Sequence, residues 1–136
     1  MPLMNWSDKL AVGVTVLDND HKKLIVMVNQ LFDGIQSGHG KESVGKILDG
    51  LIAYTKVHFG NEERYFSQTG YPAAPAHKQE HDDLTRQVVS VQQKYRAGTT
   101  NVLSLEVLNF LKNWLVKHIQ GSDQKYGPYL NAKGIR

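Results

Sequence analysis

The 136 residues suffice for one compact domain with its own hydrophobic core and are too few for a comfortable second. Hydrophobic residues make up 40% and charged ones 21%, so the polar bias of a disordered chain is absent. The formal charge of +3 is spread as lysines and arginines alternating with acids, which describes solvated helix faces and argues against a nucleic-acid partner. With no cysteine, disulfides, thiolate catalysis, iron–sulfur clusters and cysteine zinc sites are excluded, and any metal must be held by nitrogen and oxygen.

Residues 1–17 carry no sustained period and contain Gly13, so they read as an extended arm packed on the rest of a single domain, 1–136. The start, Met1-Pro2-Leu3-Met4-Asn5-Trp6, has neither a basic nor an apolar leader stretch. No apolar run reaches the length of a membrane span, and a cytoplasmic protein without membrane insertion is expected.

Four helical patterns follow. Asp18 is the expected N-cap of the first, whose apolar stripe runs Leu24, Val28, Leu31, Phe32 and Ile35 to a stop at Ser37-Gly38-His39-Gly40. The second carries Val44, Ile47, Leu48, Leu51, Thr55, Phe59, Tyr65 and Phe66 and stops at Gly70-Tyr71-Pro72, although Gly45, Gly50 and Gly60 each cost about 1 kcal/mol relative to alanine. Pro75 fits the first turn of a third helix, with Leu84, Val88, Val91 and Tyr95 inward until Arg96-Ala97-Gly98. The fourth should start near Asn101 or Ser104, carry Val107, Leu108, Leu111, Trp114 and Leu115 inward, and stop at Gly127-Pro128. Strand-like alternation is nowhere sustained. Short connections make sequential helices antiparallel neighbours, and the expected fold is all-α, an antiparallel up-down-up-down four-helix bundle with an extended N-terminal arm.

Five of the six histidines fall in register with these buried stripes. His21 leads into Leu24 and Val28, His58 follows Leu51 and Thr55, His77 and His81 lead into Leu84 and Val88, and His118 follows Leu111 and Trp114. Residues four apart share a helix face, so His58 and Glu62 present a nitrogen and a carboxylate together, and His77 and His81 present two nitrogens. Asp123 is five residues after His118, which an ideal α-helix places about 140° away. Either the helix widens there as a π-bulge or Asp123 reaches round from the side. A lone inward histidine is more often a hydrogen-bonded core residue than a ligand, and an HxxxH pair is only moderately specific. Five with Glu62 on four helices would leave many buried polar groups without partners unless they bind metal.

The set His21, His58-xxx-Glu62, His77-xxx-His81 and His118-xxxx-Asp123, in this order and with these intervals, resembles the signature of the hemerythrin family over essentially the whole chain. Asp18, three residues before His21, and the segment Trp114-Leu115-Val116-Lys117-His118-Ile119 are further matches. Five nitrogens exceed what one zinc usually takes, and two carboxylates can each bridge a pair of metals. If Glu62, Asp123 and a solvent-derived oxo or hydroxo group all bridge, the histidines must divide three and two, leaving one metal a coordination short. The resemblance implies that the cofactor is two non-haem iron ions, with His77, His81 and His118 on the saturated iron and His21 and His58 on the open one. It further implies that dioxygen is the partner, bound reversibly in a pocket made by Phe59, Trp114, Leu115 and Ile119, in a protein that is not an enzyme. Such a protein would store, carry or deliver dioxygen, with an oxygen-consuming protein as a natural recipient. A peroxidase, ferroxidase or nitric-oxide reducing activity at the same site, or an oxygen-sensing module, stands as the alternative. His39, between two glycines, is expected to be an exposed loop residue, and Glu63, Glu80, Asp82 and Asp83 are expected to be solubility charges.

Overall fold

The computed structural model describes residues 3–38, 40–98 and 105–136. Its long elements are α1 (Thr15–Gln36), α2 (Lys41–Thr69), α3 (Ala74–Arg96) and α4 (Leu105–His118), and α4 runs through a π-helical segment, Ile119–Asp123, into α5 (Gln124–Ala132). Among the described residues there is no strand. Predicted and observed stops agree for the first three helices. At the end of α2, Gly70 takes the left-handed conformation with φ 68°, which a residue with a Cβ adopts only at a cost, and its N–H bonds to Phe66 O. Pro75 sits in the first turn of α3, where no N–H is needed.

The packing is that of an antiparallel four-helix bundle. The beginning of α1 lies level with the later part of α2, since Asp20 bonds to His58. The start of α3 lies level with the end of α4, since Glu80 bonds to His118. At the opposite end Asp49, early in α2, meets Gln92 and Arg96, late in α3. Between the helices the apolar stripes close into one core, with Leu17, Leu31, Leu48, Leu108 and Leu130 almost wholly buried.

The arm, from residue 3 to the start of α1, has one short 3-10 turn at Asp8–Leu10 and buries Met4, Leu10, Val12 and Val14. Its backbone is held by side chains of the bundle: Asn29 bonds both the N–H and the carbonyl of Met4, Gln124 donates to Lys9 O, and Asn131 donates to Gly13 O. Gly127 makes this approach possible, because a Cβ there would fall 1.9 Å from Val12 O.

Two boundaries differ from the sequence expectation. Asp18 does not cap α1, which begins three residues earlier at Thr15; its carboxylate instead accepts the backbone N–H groups of Val12 and Gly13 and ties the arm down. Nor do Gly127 and Pro128 stop the last helix, for Pro128 lies inside α5. An interior proline costs about 3 kcal/mol, which the complete burial of Tyr126 and Leu130 on either side offsets. The expected helix starts at Asn101 or Ser104, and the loop position of His39, lie outside the described residues.

Candidate metal centre

The helix period carries the seven candidate ligands to one level of the bundle. His21 comes from the second turn of α1, His58 and Glu62 from successive turns of α2, His77 and His81 from the first turns of α3, and His118 from the end of α4. Asp123 closes the π-helical segment. Of the two ways Asp123 could have reached the centre, the chain uses the wider turn: an i→i+5 pattern brings the fifth residue back beneath the first. All seven are buried, at 0–3% exposure.

Each carboxylate divides its two oxygens between two groups of imidazoles. Glu62 Oε1 lies 3.0 Å from His81 Nε2 and 3.7 Å from His77 Nε2, while its Oε2 lies 3.6 Å from His58 Nε2 and 3.8 Å from His21 Nε2. Asp123 Oδ1 lies 2.8 Å from His77 Nε2 and 3.1 Å from His118 Nε2, while its Oδ2 lies 3.1 Å from His21 Nε2. Two sets of atoms able to hold an ion result, one of Glu62, His77, His81, His118 and Asp123, the other of His21, His58, Glu62 and Asp123.

These close contacts are not aligned as hydrogen bonds. The ring Nε2 atoms of His21, His77, His81 and His118, Nδ1 of His21, Glu62 Oε1 and both oxygens of Asp123 are buried without a hydrogen-bond partner. Leaving one buried polar group unsatisfied costs about 1–3 kcal/mol, and more when it is charged. Apart from His21 Nδ1, these orphaned atoms belong to the two sets, and as imidazole nitrogens and carboxylate oxygens they fit a pair of metal ions held by nitrogen and oxygen.

Outside this cluster, three imidazoles donate Nδ1–H to a carboxylate: His58 to Asp20 Oδ2 at 2.9 Å, His81 to Glu63 Oε2 at 2.9 Å and His118 to Glu80 Oε1 at 3.1 Å. A carboxylate can only accept, so the proton sits on Nδ1 and the Nε2 lone pair points inward, the arrangement that suits a metal ligand. Glu63 and Glu80 are therefore not the free solubility charges expected from the sequence. Asp82 and Asp83 do lie on the solvated face, paired with Lys78 and Arg86. Asp20 and Tyr126 carried no signal in the sequence beyond neighbouring a candidate ligand. Tyr126 is wholly buried and its hydroxyl donates to Glu62 Oε2 at 2.5 Å.

The carboxylates favour the charged form of the His21 and His77 rings. Burial disfavours the charged form of His21, but Asp123 and Glu62 outweigh it and raise its pKa to about 10. The same balance raises His77 to about 9. Burial likewise opposes the charge of Glu62 and Asp123, and the surrounding histidines overcome it and hold both carboxyls well below their ordinary range.

Beside the centre lies an apolar cavity of about 40 Å³ whose wall includes Phe59, Trp114 and Leu115 together with Leu24, Leu51 and Leu84. Phe59 stacks on the His81 ring at 3.7 Å and Trp114 on the His118 ring at 4.5 Å. Ile119 is wholly buried where α4 becomes π-helical, and it is not part of that wall.

An antiparallel helical bundle that buries two shared carboxylates among five imidazoles defines a cation-binding class of protein. Residues 12–130 match the hemerythrin HHE cation binding domain, and the chain belongs to that family. It is 39% identical over 133 residues to a bacteriohemerythrin of Methylococcus capsulatus, covering 97% of this chain and 100% of that one. A bacteriohemerythrin of Stenotrophomonas maltophilia is 34% identical over 132 residues, covering 97% and 84%. The crystal structure of a wild-type hemerythrin superposes with a TM-score of 0.89 at 38% identity, over 94% of this chain and 98% of that one. No helix among the described residues is long and apolar enough to cross a membrane.

Proposed function

We propose that the chain binds dioxygen reversibly, to store, carry or deliver it, at two non-haem iron ions. His77, His81 and His118 would hold one iron, His21 and His58 the other, and Glu62 and Asp123 would span both. The observation that carries this reading is the division of each carboxylate between the two groups of imidazoles. The chemistry that such a pair supplies when bound is a reversible two-electron exchange with dioxygen at an open coordination position.

What the chain itself contributes is orientation and dryness. Asp20, Glu63 and Glu80 fix three of the rings in the tautomer that ligates. Tyr126 holds Glu62 by one oxygen. Phe59, Trp114, Leu115 and Ile119 form the apolar side of the centre; Leu115, three residues before His118, keeps water and protons from the bound gas. The cavity that Phe59, Trp114 and Leu115 help to wall is lined almost entirely by hydrocarbon, a surrounding that favours a small apolar molecule over water.

Anaerobic reconstitution with ferrous iron should give about two irons per chain. Oxygenation should then produce a visible band that disappears when dioxygen is removed under argon. Leu115→Ala should keep both irons and autoxidise faster. One stoichiometric zinc with no uptake of iron would overturn the di-iron reading. An oxygenated wild type that cannot be reversed and that turns over peroxide or nitric oxide would make the protein an enzyme.

A further inference from the structure

The three carboxylates that back the imidazoles are not equally confined. Asp20 has a short side chain, 14% exposed, and accepts the Tyr54 hydroxyl at 2.9 Å in addition to His58. Glu80 has a longer side chain, 43% exposed, and would be free to swing into solvent. It is held by one residue of the π-helical segment: the hydroxyl of Ser122 lies 2.9 Å from Glu80 Oε1 and 2.9 Å from Oε2. A single hydroxyl proton so placed is shared between both oxygens and fixes the plane of the carboxylate, and Glu80 Oε1 in turn receives His118 Nδ1.

The placement of Ser122 depends on the same feature that places Asp123. In the widened turn Ser122 and Asp123 fall on either side of the direction in which His118 points, one towards α3 and the other towards the buried centre. His118 is thus engaged at both nitrogens by groups that the one turn positions: Nδ1 through Ser122 and Glu80, Nε2 beside Asp123 Oδ1.

We propose that Ser122 is a positioning residue for the metal centre, a latch between the π-helical turn and α3 that, through Glu80, aims His118 Nε2 at its metal. This rests on the di-iron reading above. The latch exchanges no proton and touches no metal; it removes the freedom of the exposed Glu80 side chain and so preorganises a ligand.

The test uses the full chain loaded with ferrous iron, comparing wild type, Ser122→Ala, Ser122→Thr, Glu80→Gln and the double variant Ser122→Ala with Glu80→Gln. Replacing partners of metal-bound histidines commonly costs about 10- to 100-fold in metal affinity. Ser122→Ala should weaken iron binding by about tenfold and speed its release to a chelator, Ser122→Thr should restore both, and the melting temperature of the metal-free form should not move. Because both residues act along one path, the double variant should be no worse than Glu80→Gln alone. Wild-type affinity in Ser122→Ala, equal destabilisation of metal-free and loaded protein, or additive losses in the double variant would each overturn the latch. Wild type that takes up no iron pair would instead overturn the di-iron reading and the latch with it.

Discussion

At the end of the bundle where α1 stops and α2 starts, Leu31, Val44, Leu48 and Leu108 fill the interior, and among the described residues nothing polar is buried with them. Towards the other end, the interior between the same four helices and the π-helical segment that follows α4 holds five imidazoles and two carboxylates. The first end follows the ordinary rule that burying hydrocarbon stabilises, at roughly 25 cal/mol per Å². The second works against folding until something satisfies its orphaned atoms, because taking ionisable groups out of water is expensive. Two ends of one bundle therefore divide the tasks, one specifying the fold and the other storing an unmet demand for cations.

The largest effect should come from removing a group shared by both sets of ligands. Glu62→Ala deletes one oxygen from each set and leaves the buried Tyr126 hydroxyl without its acceptor, so neither iron should be retained after desalting. Metal analysis checks this, and retention of a normal pair would show that Glu62 is not shared. Next in size is a change at the apolar end: Leu48→Ala should destabilise the chain by about 2–5 kcal/mol in metal-free and loaded forms alike, while the iron count stays the same. Chemical denaturation of both forms would show it, and a loss confined to the loaded form would mean that the two ends do not act separately.

The third effect is smaller and concerns pH. His21 and His77, raised to about 10 and about 9 in the metal-free protein, contribute stability that is fully present below the ordinary histidine value and is lost as pH rises through 9 to 10. Glu62 and Asp123, depressed, contribute stability present above the ordinary carboxylate range and lost as pH falls below it. The metal-free melting temperature should therefore fall from about pH 7 towards pH 10. Iron requires neutral imidazole, so loading near pH 7 should release protons, and the gap in melting temperature between loaded and metal-free protein should widen with pH. Calorimetry in buffers of different ionisation enthalpy measures that release; a value of zero would mean that the metal-free rings are neutral.

The helices themselves were legible because a buried stripe must repeat with the helical period. The same period put His21, His58, Glu62, His77, His81 and His118 on inward faces before any contact was known. Leu84 and Val88 are buried as the pattern demands, while Val91 and Tyr95, further along the same stripe, are only half covered near the end of α3. Pattern reveals which face is inward and says nothing of how far the neighbouring helix extends over it.

Sequence by itself thus determined a helical bundle, its inward faces and a candidate ligand set of nitrogen and oxygen, since these follow from spacing along one helix at a time. Tertiary structure decided what depends on two segments meeting. Only there does the turn before Asp123 resolve into a π-helix, and only there do Glu63 and Glu80, spaced like solvated charges, reach across to His81 and His118. Asp18 turns from an apparent cap into an anchor for the arm, and the last helix passes through Pro128, because contacts with Val12 and burial of Tyr126 and Leu130 outweigh local preference. Local rules price each residue against its own helix, and a contact between helices can exceed that price without leaving any trace in the spacing.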